Sequence, residues 1–547
     1  MKRLLLIAVA LAAAVALAAC QEFAEVSAEV EPQFSEAEYV AHLRFLASDL
    51  LEGRAIGARG GDLAARYIAA QFEAIGLQPI SEENGYFQSV PLLGTSTDLE
   101  SVRFSLRTGV AENLLEPYDE AVINSELTDA EINAEGELLF VGYGIEAPEY
   151  EWDDYKGVDV SGRILVMLVN DPDLELTGFG SEEMTYYGRW TYKEEIARAR
   201  GARGLILLHT DETATYPFTV VQSSWANERI RFDEEFENPL ELNGWISRPA
   251  IEPVLEQLGT SYDELKARAD SRDFVPEELG ITLTASFGQT TRRFTTPNVI
   301  GILPGSTAAE EVVIYEGHYD HLGIGRAVDG DEIYNGALDN ASGISALICI
   351  ARAYASLPEP PARSVVFFAT TGEESGLLGA EYYVAHPVLP LEETAIVINM
   401  DAFNVFGPTD DFVVTPIEAT TAGLAVAEIG QGMGMELVPN PRPGRGSEFR
   451  SDHFPFNSRG VVALSVNYGL RFRGRPEGWG QQHMDEYTAR HYHQPSDEIG
   501  DDWDYSGALQ EMLLCYRLGR HWADGAEAPT LREGNPYVPA IRMRGLP

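Results

Sequence analysis

Three strand-to-loop junctions between Val312 and Asn404 carry the residues best suited to chemistry. Gly317-His318-Tyr319-Asp320-His321 follows the apolar run Val312-Val313-Ile314-Tyr315. Gly336-Ala337-Leu338-Asp339-Asn340-Ala341-Ser342-Gly343 leads into an apolar helical pattern. The third cluster is split between Thr371-Gly372-Glu373-Glu374-Ser375-Gly376 and Asn399-Met400-Asp401, each placed after a β-type run. His318 offers an imidazole, and Asp339, Glu374 and Asp401 offer carboxylates. Nitrogen and oxygen donors of this kind suit zinc, and a catalytic site keeps one position open for water. Two metal ions about 3.5–4 Å apart act as a paired clamp on a reacting group, and a bridging carboxylate would hold such a pair together. Asp339 is the best bridge, because its Gly- and Ala-rich loop leaves room for close approach. A second histidine is then needed. His493 supplies it from Tyr492-His493-Gln494-Pro495-Ser496-Asp497-Glu498, a turn-rich stretch before the last helical pattern. His491 is its rival, and His321 and His483 also stand near expected ligands.

Strand ends that carry such residues imply an open α/β sheet, in which ligands bind beyond the strand C-termini. From Asn298 onward the pattern repeats strand, loop and helix. Strands are expected at 299–303, 312–315, 365–369, 395–398 and 461–466, and helices at 343–355, 379–385, 422–429 and 507–518. Upstream, Ser35 and Glu38 form a capping box ahead of Tyr39, Leu43 and Leu46 on one helix face. Asp62 is placed to cap a second helix through Ala65, Ile68, Phe72 and Ile75, which Gly76 stops. Composition shifts near residue 130, where a smaller α/β unit begins. The expected division is a main body of 34–130 and 276–524, an insert of 131–275 and an irregular tail of 525–547. Within the insert, Thr210 to Arg248 is loop-rich and aromatic, a lid or a specificity wall. His209, alone beside an apolar strand, reads as structural.

A chain of 547 residues is too long for one core. Its 39 basic against 86 acidic residues, a net charge of −47, exclude nucleic-acid binding, which needs a basic footprint. The acidity describes a heavily solvated surface. Met1-Lys2-Arg3 precedes the apolar run Leu4 to Ala19, and Leu17-Ala18-Ala19-Cys20 resembles a bacterial lipobox. Residues 1–20 are therefore expected to be a lipoprotein signal with an acylated Cys20, and 21–33 a tether. The protein is expected to be exported, periplasmic or tethered to the outer membrane, touching a membrane only through that anchor. Cys349 and Cys515 sit in apolar helical contexts and read as buried thiols; without a CxxC spacing, any metal falls to nitrogen and oxygen.

These residues resemble the co-catalytic di-zinc aminopeptidases, relatives of glutamate carboxypeptidase, over residues 34–85 and 296–522. The resemblance implies a zinc-exopeptidase fold, a mixed, mostly parallel sheet flanked by helices. It implies two zinc ions, one on His318, Asp339 and Asp401 and the other on Asp339, Glu374 and His493. Asp320 would orient His318, and Glu373 would be the general base for a zinc-activated water. The insert is similar to a protease-associated domain, either a spacer or a wall over the cleft. The implied activity is peptide-bond hydrolysis, releasing N-terminal residues from peptides or dipeptides. Glutaminyl-cyclase-like or carboxypeptidase activity and a non-catalytic binding module are the other readings; the complete ligand set with its base argues against the last. The family's oxyanion-supporting tyrosine has no match, since Glu448-Phe449-Arg450 precedes Ser451. Tyr468 and Tyr492 are candidates for that role. Ser451-Asp452-His453 looks like a hydrolytic triad, but adjacent residues rarely converge as one.

Overall fold

Alternating apolar side chains build the central sheet. The computed structural model describes residues 31–546, so the expected signal, Cys20 and most of the tether lie outside the described residues. Strand Ala308–His318 runs parallel to both Arg363–Thr370 and Thr394–Asn399, and the latter is parallel to Ala463–Tyr468. Successive side chains of a strand face opposite sides. Val313, Tyr315, Val365 and Phe367 pack to one side, under helices Glu36–Leu46, Ser342–Ala355 and Ser506–Ala523. Val312, Ile314, Val366 and Phe368 pack to the other with Tyr383 and Phe456. Burial on both faces is the usual setting of parallel strands. Asp411–Thr415 pairs antiparallel to Ala463–Tyr468, and Glu277–Leu303 antiparallel to Arg363–Thr370, which makes the sheet mixed.

Glu277–Leu303 is a single strand of 27 residues that serves two sheets. Its second half pairs with Phe87–Thr97 and Arg363–Thr370, and its first half with Glu131–Phe140. Beyond Glu131–Phe140 lie three parallel strands, Ile164–Leu168, Gly204–His209 and Leu242–Ser247. Arg103–Thr108 and Ala121–Asn124, expected with the main body, pair into this second sheet. The pairing begins before residue 131 because a strand follows its hydrogen-bonding edge, which the composition shift does not mark.

Two further expectations change. The tail after 525 contains the helix Val538–Arg544, and Arg542 and Arg544 pair with Glu149, Glu195 and Glu381 across both units. The second helix begins at Arg59, with Ala58 at its N-cap and no side-chain cap, so Asp62 lies inside its first turn; Gly60 packs there against the Leu51 carbonyl, where a Cβ would come within 1.6 Å. Ser35 does cap the first helix, its Oγ accepting from the Glu38 N–H. Cys349 and Cys515 are buried free thiols, and His209 bonds the Tyr216 carbonyl at 3.1 Å. Among the described residues, no helix is long and apolar enough to cross a membrane.

Arg54 ties these parts to the strand ends. It is 1% exposed, and its guanidinium donates to the carbonyls of Tyr319, Leu46, Asn335 and Gly336 at 2.6–2.9 Å. A planar fork with five donors can satisfy several carbonyls at once, which an ammonium cannot match. Replacing Arg54 with leucine should cost about 3–5 kcal/mol, as buried carbonyls lose their donors. A lowered urea midpoint in the purified variant is the expected result. A second check uses Glu511, whose Oε2 accepts from the Asn404 N–H at 2.7 Å and whose carboxyl burial pushes up to about 8. An unfolded glutamate titrates near about 4.3. The native state therefore keeps a proton that the unfolded state releases, and this contribution is full below that value and lost as pH rises toward 8. Glu511→Gln should flatten the loss of stability between about pH 4.3 and pH 8 in thermal melts.

Candidate metal centre

Five side chains, one from a strand end and four from separate loops, converge at the C-terminal end of the central strands. His318 ends its strand, 1% exposed, and its Nδ1 bonds the Asp320 carbonyl at 3.1 Å. A carbonyl only accepts, so Nδ1 carries the proton and Nε2 presents its lone pair. That Nε2 lies 3.2 Å from Asp339 Oδ1 and 3.4 Å from Asp401 Oδ1. On the other side of Asp339, Oδ2 lies 3.4 Å from His493 Nε2, which is also 3.1 Å from Glu374 Oε2. The two oxygens of Asp339 thus face two different histidines.

These spacings fit zinc. Donor atoms at about 2.0–2.1 Å from a tetrahedral ion stand roughly 3.3 Å from one another. The charge balance asks for a cation as well. Burial alone would lower the His318 pKa, but Glu373, Asp339 and Asp401 outweigh it and hold the imidazole well above its ordinary value. Burial, with repulsion from Asp339 and Asp320, pushes the Glu374 carboxyl up to about 8 despite His493. The residues present can therefore hold one ion on His318, Asp339 and Asp401 and a second on Asp339, Glu374 and His493.

Supporting contacts come from all over the chain. Asp339 sits in the turn Ala337–Ala341, whose Leu338 and Asp339 N–H groups donate to the Asp497 carboxylate at 3.0 and 3.1 Å. Asp497 follows His493 by four residues, so one turn fixes both a ligand and the bridge. Gly343 is needed below it, because a Cβ there would come within 2.2 Å of Asn340 Oδ1. Ser451 Oγ donates to Asp401 Oδ2 at 2.8 Å and accepts from Asn399 at 2.7 Å. Asp320 touches His318 chiefly through its carbonyl; its Oδ1 is 3.9 Å from Nδ1 and accepts the Glu373 N–H at 3.3 Å. That bond sets the turn which points Glu373 into the cleft.

The other candidates separate. His491 bonds Ser496, and His483 stacks on Trp479, both away from the cluster. His321 is close, with Nδ1 2.6 Å from Glu374 Oε1, and its ring meets His493 edge to face. Ser451, Asp452 and His453 do not form a triad, since Asp452 takes the Thr370 hydroxyl and His453 faces Asn399. Tyr468 bonds Met484 in another cavity, whereas Tyr492 lies against His493 at 3.9 Å and lines the cleft with Glu373.

Residues with no local signal complete the site. Ser224, on the helix Phe218–Trp225 of the insert, lies 2.8 Å from His493 Nδ1. Tyr216, Val220 and Arg189 join it as one wall of a cleft of about 850 Å³. The stretch expected as a lid or wall thus contributes directly to the ligand environment.

Comparison with known proteins bears on the same segment. Residues 298–516 match the model of Peptidase family M28. The aminopeptidase YwaD of Bacillus subtilis is 25% identical over 210 residues, 38% of this chain and 40% of that protein. A glutamate carboxypeptidase 2 homolog of Caenorhabditis elegans is 25% identical over 300 residues, 51% of this chain and 35% of that protein. The chain thus spans less than half the length of these curated relatives. The aminopeptidase from Aneurinibacillus sp. strain AM-1 superposes with a TM-score of 0.53 at 17% identity, covering 92% of this chain and 95% of that one. That likeness shows the fold. The resemblance to zinc aminopeptidases and glutamate carboxypeptidase relatives therefore holds, and the M28 segment contains all five candidate ligands and Glu373.

Partners that hold a ligand's second nitrogen commonly change metal affinity 10- to 100-fold. Ser224→Ala should accordingly weaken zinc binding about 10-fold, read by competition with a chelating dye.

Proposed function

We propose that this chain is a zinc peptidase that removes N-terminal residues from peptides, with two zinc ions held across Asp339. The observation that carries the reading is Asp339 itself, one oxygen toward His318 and the other toward His493, with Glu373 beside them. His318, Asp339 and Asp401 would hold one ion and Asp339, Glu374 and His493 the other. When bound, zinc supplies Lewis acidity toward a carbonyl oxygen and lowers the pKa of water.

The chain's own groups account for the remaining chemistry. Glu373 lines the cleft next to Glu374 and is not needed as a ligand, so its carboxylate is free to take a proton from the attacking water. As the water oxygen bonds to the carbonyl carbon and the C–N bond breaks, Glu373 returns that proton to the leaving amine. The backbone bond to Asp320 keeps Glu373 aimed for both transfers. Tyr492, whose hydroxyl accepts from Arg450 Nη2 at 3.2 Å, would donate to the developing oxyanion, the role left open by the residues before Ser451. Expelling bulk water from the cleft strengthens each of these interactions.

Glu373→Gln should keep two zinc ions per chain by elemental analysis and lose about 10²- to 10⁴-fold in turnover of aminoacyl p-nitroanilides. Undiminished turnover would remove Glu373 from the mechanism, and one zinc per chain would favour the cyclase-like reading. N-acetylation of the substrate should abolish cleavage; survival of cleavage would favour a carboxypeptidase. The sequence Leu17 to Cys20 supports export with a lipid anchor, which retention of the wild type, but not of Cys20→Ala, in the membrane fraction would test.

A further inference from the structure

A separate group of metal-binding donors lies away from the cleft, where helix Glu36–Leu46 packs against helix Ser342–Ala355. Glu38 and His42 stand four residues apart on the first helix, and so share one face. Cys349 meets them from the second. One donor atom from each of the three lies within 4.8 Å of the other two. His42 Nε2 is 3.8 Å from Glu38 Oε1. Among the described residues, every other cluster of this kind includes His318 or His321, and Cys515, equally buried, joins none.

His42 is the informative member. It is 6% exposed, and its Nδ1 bonds the Tyr67 hydroxyl at 2.8 Å, but its buried Nε2 has no hydrogen-bond partner among the described residues. A buried nitrogen left unsatisfied is costly, and one set beside a carboxylate and a thiol has the surroundings of a ligand. With the Tyr67 hydroxyl accepting from Nδ1, Nε2 presents its lone pair. Burial lowers the His42 pKa, and Arg352 adds to this against Glu38, so the ring is neutral, the form that binds metal. Burial likewise pushes the Cys349 thiol up, so the sulfur keeps its proton until a cation replaces it. Glu38 is paired with Arg352, whose side chain is 43% exposed. Such a surface pair is weak, and the guanidinium can turn to solvent. A groove lined by Phe34, Ser35, Glu38, Cys349, Arg352 and Tyr516 gives an entry path and room for water.

We propose that Glu38, His42 and Cys349 form a zinc site, apart from the candidate metal centre, that staples the first helix to helix Ser342–Ala355. Sulfur, nitrogen and oxygen donors together suit zinc, a borderline-soft ion, with water from the groove as the fourth ligand. On binding, the Cys349 S–H bond breaks, its proton leaves to solvent, and the sulfur electron pair bonds the ion. Drawing the donors in from 4.8 Å to the roughly 3.3–3.7 Å of a tetrahedral ion asks for side-chain rotation. No CxxC spacing marks the site, because its donors come from two helices. Cys349 lies seven residues into a helix that starts directly after the Asp339 turn, about 10 Å along its axis. The staple therefore ties the helix next to the expected tether to the one that extends from the bridging carboxylate.

The test is a cobalt titration of the full chain, stripped of metal and kept reduced. Thiolate bound to cobalt gives an intense sulfur-to-metal charge-transfer band in the near ultraviolet. His318, Asp339, Glu374, Asp401 and His493 include no sulfur, so the band reports the new site however many ions the other centre holds. The band should appear in the wild type and persist in Cys20→Ala and Cys515→Ser. It should vanish in Cys349→Ser. Added zinc should bleach it, since zinc outcompetes cobalt for the same donors. Glu38→Gln should weaken cobalt binding about 10-fold or more. That variant keeps the helix cap, because Ser35 accepts from the Glu38 main-chain N–H, and circular dichroism checks that each variant folds. If Cys349→Ser does not fold, Glu38→Gln decides the matter. No band in the wild type, a band that survives Cys349→Ser, or cobalt affinity unchanged in Glu38→Gln would overturn the site. A band that zinc cannot displace would overturn zinc as its ion.

Discussion

Carboxylates crowded at the ends of buried strands repel one another, and the site is organised around relieving that repulsion. Asp339, Glu373, Glu374 and Asp401 gather around His318, and the buried Asp320 lies 3.9 Å from the same imidazole. Two like charges 4 Å apart at an effective dielectric of 20 cost about 4 kcal/mol. Arg54 offsets part of this from below, but its donors are committed to main-chain carbonyls. The rest calls for positive charge from outside the chain. A divalent ion placed between Asp339 and each histidine would answer that need and stiffen the cluster.

This constraint explains why so much of the chain is devoted to holding loops still. Asp497 clamps the Asp339 turn, Ser451 and Asn399 fix Asp401, and Asp320 holds the backbone of Glu373. Metal ligands and a base work only when held to within fractions of an ångström. Each clamp joins residues on different elements, so the sheet, and not any one loop, sets the geometry.

The insert is part of that scaffold. The strand Glu277–Leu303 is continuous through both sheets, so the insert grows from the main body without a flexible linker at that edge. The helix Val538–Arg544 adds ion pairs to both units from the opposite end of the chain. Held from two sides, the insert can place Ser224 on His493 and Arg189 in the cleft with the precision of a fixed wall.

The amino-acid order by itself determined the residue types and their local settings. Period-two apolar runs mark the central strands, and the loops that follow carry His318, Asp339, Glu374 and Asp401, because a strand end is where side chains can leave a packed sheet. Glu373 beside Glu374 was legible for the same local reason. What only the tertiary structure decided depends on contacts between distant residues. His493, already marked by its turn-rich stretch, stands 3.4 Å from Asp339 and 3.1 Å from Glu374, whereas the approach of His321 to Glu374 at 2.6 Å is set by packing. Ser224 lies 269 residues from the histidine it touches, and Arg54 lies 265 from the Tyr319 carbonyl. A serine in a loop-rich stretch and an arginine after a short turn carry no local pattern that predicts such partners. Their roles arise from the long strand and the strand order, which bring separate segments to one end of the sheet.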